Sequence, residues 1–507
     1  MVKIIKSITK SIGHGIKNDP EINRLKNKYP KFFRFFKKRL TLNEKYGLYL
    51  TVGTLITLFF IYIFFGIVQD YIGQEKLIQF DLRVINLVST FRNDNLNQIM
   101  LFITYLAKGE VIIIGIIILG LILILLKNWR FLKTLLISVI GGEFFVWIIK
   151  NIIDRPRPPL TNALVNETSY SFPSGHTFVA ICFYGLLVYF ILQSEKNKFL
   201  KIISFLIGLT LIIWVGLSRI YLGAHWPSDV LASFNAGIAW LSIIITSLKI
   251  KKKFHPLKFN PHFKKTTIIT SIFFLITLWL IFIISFYFTH PLSPKIITPI
   301  IKTTINKKEI STKLFAKLPK ISESITALPA EPINIIIVAN RDTLNKAFID
   351  SGWFLLDQLS FKTSLKTINA VIKKKSYPST PGLPVFWDTQ PNSIGFGKPT
   401  PQNLASSRHH IHFWETLFIT SDDQSIWVGT AHFDEEIKSK FKIILPIHTT
   451  ELLVDKEREE VKSDLTKNNF VKSFEKIDLT GLLYGTKKSG NNFLTDGQAY
   501  ILYLNNQ

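Results

Sequence analysis

The chain has 507 residues, a formal net charge of +26 and one cysteine, yet its mean hydropathy is positive at +0.26. High charge ordinarily accompanies low hydropathy, so the two properties occupy different parts of the chain, and an evenly mixed soluble protein is excluded. The lone Cys182, inside an apolar run, excludes an intramolecular disulfide and a cysteine-built metal cage.

Residues 1–45 form a basic arm in which Lys and Arg are interspersed with Ile5, Ile8, Phe32, Phe33, Phe35 and Phe36. Such a stretch beside an apolar span lies on anionic headgroups or forms a solvated positive flank, and both readings stay open. The first apolar run, 46–68, is longer than the core of a signal peptide and follows this basic arm, so it is expected as an uncleaved anchor. Further runs able to cross a bilayer (~20 residues) lie at 110–126, 131–153, 176–193, 199–217, 226–248 and 266–288. A run at 96–106 is too short to span and is expected along the interface or beside the next helix.

Basic clusters at 3–39, 127–133, 196–201 and 249–265 each abut an apolar run and recur after every second span. This juxtamembrane placement speaks for an anionic membrane surface and against nucleic acid. Because Lys and Arg are retained on the cytoplasmic side, the amino terminus is expected inside. Residues 153–175, 218–225 and everything after the seventh span are then outside.

Three polar groups fall at those outer ends. In the first, Lys150 and Arg157 are seven residues apart, about two helical turns, which predicts a shared helix face ended by Pro156 and Pro158. A basic cluster closing a span also serves as a snorkelling anchor, although the outer side is where Lys and Arg are scarce. The second, Pro173-Ser174-Gly175-His176, is a tight turn before a helix start, which attracts phosphate oxygens or simply caps the helix. The third holds Ser218, Arg219, His225 and Asp229. With a helix starting at His225, the carboxylate four residues on reaches one imidazole nitrogen and leaves the other free to attack. By itself an i,i+4 His–Asp pair is also a common structural contact.

In this order the groups resemble the tripartite signature of the type 2 phosphatidic acid phosphatase superfamily, K-x6-RP, PSGH and SR-x5-H-x3-D. The matches are Lys150, Arg157 and Pro158, then Pro173 to His176, then Ser218, Arg219, His225 and Asp229, with no departure at any signature position. The resemblance covers roughly residues 46–248 and implies a six-helix membrane domain. It implies that His225 attacks phosphorus to form a phosphohistidine, with Asp229 stabilising the imidazolium. His176 then protonates the leaving oxygen and later activates water. Lys150, Arg157 and Arg219, with the amides around Ser174 and Gly175, bind the phosphate oxygens. Fixed cations supply the charge stabilisation, so no cofactor is expected. The implied substrate is a lipid phosphate at the outer face of a bacterial plasma membrane: undecaprenyl diphosphate, phosphatidylglycerol phosphate or phosphatidic acid. The first is favoured because it is used on that face. Transfer of the phosphate to a non-water acceptor, and a non-catalytic lipid-binding role, are the alternatives. Haloperoxidase chemistry shares the site type but belongs to soluble proteins.

Residues 249–290 read as a basic cytoplasmic loop and the seventh transmembrane helix, and 291–332, rich in Pro, Thr, Lys and Ile, as a linker. From 333 the texture changes. A buried strand at 333–339, a helix at 342–351, and alternation at 411–419, 425–433, 442–447 and 499–504 predict an α+β extracytoplasmic domain over 333–507. Within it His410 and His412 share one strand face while His409 points away. These, with His432 and His448 and followed by Asp434, Glu451 and Asp455, are read first as satisfied histidines in a sheet, so no metal is expected; a zinc or hydrolytic site built from His410, His412, His432 and His448 is the alternative. The run from Arg408 to Trp414, with the strand after Pro332, resembles the LssY-type carboxy-terminal domain, which implies no mechanism.

Overall fold

The computed structural model describes residues 19–41, 47–73, 76–159, 163–194, 196–254, 265–292, 301–316, 318–373, 375–382, 384–400, 407–439, 446–450, 453–486 and 492–505. The beginning of the basic arm with Ile5 and Ile8, the loop at 255–264, and Glu451 lie outside these residues, as do most of the strand expected at 442–447 and the side chain of His448. The chain divides into two compact units. One comprises Met1–Ile72, Asn93–Pro159 and Ala163–Pro294; the other comprises Gly73–Arg92, Leu160–Asn162 and Lys295–Gln507.

The first unit is helical. Two short helices, Pro20–Lys28 and Pro30–Leu40, each begin on a proline, where the missing N–H costs nothing. The helices Leu48–Ile72, Trp129–Ile153, Gly175–Ser194, Lys198–Tyr221, Pro227–Ile250 and Thr270–Thr289 are each long and apolar enough to cross a membrane. The runs expected as an interfacial piece and a separate full span prove to be one bent pair. Helices Asp94–Tyr105 and Gly109–Leu125 meet at 46° and qualify as a span only together. Lys108, with φ −69° and ψ 142°, supplies the break. Outward-facing Leu55, Phe59, Tyr62 and Phe65 of the first span are exposed, as lipid contact requires.

The Gly175–Ser194 helix lies at the centre, with every residue from Thr177 to Tyr184 buried. Its neighbours come close through small residues. A Cβ on Gly142 would lie 2.8 Å from the Phe178 ring, and one on Gly216 equally near the Phe234 ring. A π-turn over Ile181–Gly185 interrupts this central helix. Alternating chain direction gathers the carboxyl ends of Trp129–Ile153 and Lys198–Tyr221 with the amino ends of Gly175–Ser194 and Pro227–Ile250. Those four tips carry the signature residues.

The second unit is α+β. Among the described residues its main sheet has nine strands. The hydrogen-bonded path runs Val471–Asp478, Gln498–Leu504, Ile335–Val338, Ser425–Ser439, Arg408–Thr420, Ile394–Pro399 and Phe354–Leu355. One face packs helices Arg341–Asp350 and Asp455–Lys467 through Leu344, Phe348, Val461 and Leu465. The other is covered by Ile310, Leu314 and Trp387 against Trp414 and Val428. The stretch read as a linker therefore contributes structure: Thr303–Ile305 pairs in parallel with Phe418–Thr420, and Ile305, Ile310 and Leu314 join the core. Its apolar residues are too few per turn to show a period, which is why the sequence conceals them. Helix Lys76–Thr90, expected inside the membrane domain, also belongs to this unit, where Arg83 pairs with Glu323 and Asn86 donates to the Thr389 carbonyl at 3.1 Å.

Candidate active site

His225 sits in the turn between the Lys198–Tyr221 and Pro227–Phe254 helices and is 1% exposed. Gly223 takes a φ of +69° there, a conformation that costs a glycine little. The turn is locked by the Ala224 and His225 N–H groups donating to the Arg219 carbonyl at 3.0 and 3.3 Å. The helix begins at Pro227, two residues later than expected, because proline fits the first helical position. The His225–Asp229 pair accordingly spans the helix cap. Nδ1 of His225 lies 3.4 Å from Asp229 Oδ2 and 3.5 Å from Ser171 Oγ, while Trp226 N–H donates to the same carboxylate at 3.0 Å.

Asp229 is fully buried, and its other oxygen accepts from Arg155 at 2.7 Å. Ser171 also donates to it. Arg155 additionally holds Ser228 Oγ at 2.7 Å and lies over the rings of Tyr71 and Trp226. Sequence reasoning missed Arg155 and Ser171. The signal for Arg155 was present, since Arg155-Pro156-Arg157-Pro158 sets a second arginine two residues before Arg157 in the first motif.

The other imidazole nitrogen, Nε2, faces Arg157 at 3.3 Å. The expected shared helix face for Lys150 and Arg157 does not form, because Asp154 adopts a left-handed conformation (φ 43°) and ends the helix at Ile153. Arg157 instead comes from an extended segment, donating to the carbonyls of Ala224 and Ser169 at 2.6 Å each. The two cations still converge, each 3.1 Å from Ser169 Oγ. Burial brings the Arg157 guanidinium down to about 10 against the pull of Glu167, so it remains a cation at neutral pH. Burial, with Arg157, Arg219 and Lys150 adding to it, holds the His225 imidazole well below its usual range, and its neutral form persists.

Arg219, 1% exposed, donates to Glu167 at 2.6 Å and to Thr104 Oγ1 at 2.8 Å. Its Nε has no hydrogen-bond partner among the described residues, and neither does the buried Nε2 of His176. Burial opposes ionisation of Glu167, but Arg219 and then Lys108 outweigh it and hold the carboxyl at about 2. Glu167, Thr104 and Lys108 carried no sequence signal, since each is a single polar residue in an unremarkable context. Ser174 is buried, its N–H pointing at the Asp229 carbonyl at 3.4 Å and its hydroxyl accepting from Thr177 at 3.0 Å. Gly175 opens the central helix. The eight signature residues expected at one site thus come from segments that meet at one end of the bundle.

In the second unit His410, His412 and His432 are buried together on one sheet face, while His409 points the other way, its Nδ1 2.8 Å from Glu457.

The model of the PAP2 superfamily matches residues 131–253, and that of the LssY C-terminus matches residues 315–499. The chain is 32% identical over 185 residues to phosphatidylglycerophosphatase B of Bacillus subtilis, covering 35% of this chain and 88% of that protein. It is 27% identical to undecaprenyl-diphosphatase of Sulfolobus acidocaldarius, covering 38% and 89%. The crystal structure of a transmembrane PAP2-type phosphatidylglycerolphosphate phosphatase from Bacillus subtilis aligns at 26% identity and a TM-score of 0.36, covering 41% of this chain and 98% of that one. The chain therefore belongs to the PAP2 superfamily of phosphatases, as its similarity over most of the Bacillus subtilis phosphatase shows, and carries an LssY-type carboxy-terminal domain.

Proposed function

We propose that this protein hydrolyses a lipid phosphate monoester or diphosphate through a phosphohistidine on His225. The observation that carries this reading is the two-sided setting of one imidazole: Nδ1 toward Asp229 at 3.4 Å and Nε2 toward Arg157 at 3.3 Å. An Nδ1–H held by the carboxylate leaves Nε2 with its lone pair directed at the cations that bind phosphate. Nε2 attacks phosphorus, the bond to the leaving oxygen breaks, and His176 donates a proton to that oxygen. Water then attacks the phosphorus of the phosphohistidine, the P–N bond breaks, and His176 accepts the water's proton. Lys150, Arg157, Arg219 and the free amides around Gly175 at the start of the central helix take the equatorial oxygens as charge redistributes. Arg155 fixes Asp229 and through it the ring.

The names of the relatives support a substrate with a lipid tail and a phosphate or diphosphate head. The basic clusters lie at the helix ends opposite the site, which supports a cytoplasmic amino terminus and an active site on the outer face. Exposed Phe32, Phe35 and Phe36 on the basic Pro30–Leu40 helix support contact with anionic headgroups.

The test uses full-length protein purified in detergent and offered phosphatidylglycerol phosphate, undecaprenyl diphosphate and phosphatidic acid, with and without alcohol acceptors. Inorganic phosphate should be released by the wild type and not by His225→Ala. Phosphate appearing only on an acceptor would assign a phosphotransferase. Equal release by the variant would refute the nucleophile.

A further inference from the structure

We propose that the second unit binds one divalent first-row transition-metal ion, of the zinc class, through His410, His412 and His432. The three residues stand on two neighbouring strands, with His410 directly opposite His432 and His412 opposite Thr430. Residues paired in this way share a sheet face. All three are 5% exposed or less. Their ring centroids are separated by 4.3, 5.1 and 5.7 Å, and one nitrogen from each falls within 4.8 Å of the other two. Buried imidazole nitrogens are ordinarily hydrogen-bonded, yet Nε2 of His410 has no such partner among the described residues. Imidazole suits zinc and its neighbours, and three histidines with a further position for water or substrate is a known ligand set for catalytic zinc.

The surroundings fit the same ion. Asp434 stands 3.4 Å from His410 Nδ1 and 3.4 Å from His432 Nε2, and Glu331 stands 3.5 Å from His432 Nδ1. The carboxylates on the Nδ1 side of His410 and of His432 are placed to orient liganding rings and raise their basicity, which leaves the Nε2 side for the ion. Space over the rings is preserved by glycine. Gly397 and Gly395 face His410 and His412 on the adjoining strand. A Cβ on Gly382 would lie 2.8 Å from Cε1 of His410 and 3.0 Å from Cε1 of His412. The proposal does not depend on the phosphatase reading, since none of its residues belongs to the membrane unit.

Full-length protein in detergent, stripped with a chelator and dialysed against Zn²⁺, should retain about one equivalent by elemental analysis. The double variant His410→Ala/His412→Ala should bind zinc ~100-fold or more weakly, beyond what loss of an orienting partner alone causes. His409→Ala, on the opposite face, should keep the full equivalent. Should the double variant fail to fold, His432→Asn carries the test with Co²⁺ as the probe. The wild type should show the intense visible absorption of a four-coordinate ion, and the variant should lose it. Wild-type protein that retains no zinc, or a folded variant that retains it with unchanged affinity, overturns the site.

Discussion

His225 is delivered by a turn between two helices, and its partners arrive from the segment after Ile153, the loop before Pro173 and the start of the next helix. His410, His412 and His432 come instead from two adjacent strands of one sheet, where register alone sets their spacing. Both sites bury several imidazoles beside carboxylates and an arginine, but the balance differs. Around His225 the fixed cations Lys150, Arg157 and Arg219 lie close, a setting that favours an anion. Around the histidines of the second unit stand Asp434 and Glu331, and Arg408 Nε lies 3.9 Å from Asp434. That setting favours a cation. The same residue type serves opposite ligands according to the charge of its neighbours.

If the membrane site works as one unit, its members should be unequal and non-additive. His225→Ala should lower phosphate release by ~10⁶-fold, as loss of a nucleophile does elsewhere. Adding Arg157→Ala to it should cost little more; a full further loss would mean that the two act separately. Asp229→Asn should cost ~10⁴-fold in kcat by disturbing the tautomer, and a much smaller loss would reduce Asp229 to a helix cap. Arg219→Ala alone should cost ~100-fold or more, by analogy with the loss of one oxyanion donor.

Arg155→Ala should act first on stability. It leaves a fully buried carboxylate without its arginine, and removing one partner of a buried pair costs about 3–5 kcal/mol, visible in thermal unfolding in detergent. The smallest effect concerns pH. Glu167 is held at about 2 in the folded protein, below the ordinary carboxylate value of 4.5. Its ion pair therefore stabilises the fold fully above that ordinary value, and the contribution is lost as pH falls toward 2. Thermal midpoints measured between neutral pH and acid should decline less steeply for Glu167→Gln than for the wild type.

The membrane spans were legible because an apolar run of that length has few other uses, and the signature residues because their spacing is fixed by helix ends. Where the expectation failed, backbone geometry was responsible. The seven-residue spacing of Lys150 and Arg157 suggested a shared helix face, but Asp154 turns left-handed and the chain leaves the helix before Arg157. Lys108 breaks what reads as two independent apolar runs into a bent pair. In the second unit, strand alternation gave the faces of His409, His410 and His412 correctly. It could not supply strand order, so nothing in the sequence brought His432 opposite His410. Glu167 and Ser171 were invisible for the same reason, being long-range partners without local pattern.

The most direct measurement is to trap the covalent intermediate. Purified protein mixed with a radiolabelled lipid phosphate, quenched in alkali and mapped by mass spectrometry should carry the label on His225, and Asp229→Asn should carry less. Turnover with no trapped label, or label on His176 in place of His225, would contradict the account.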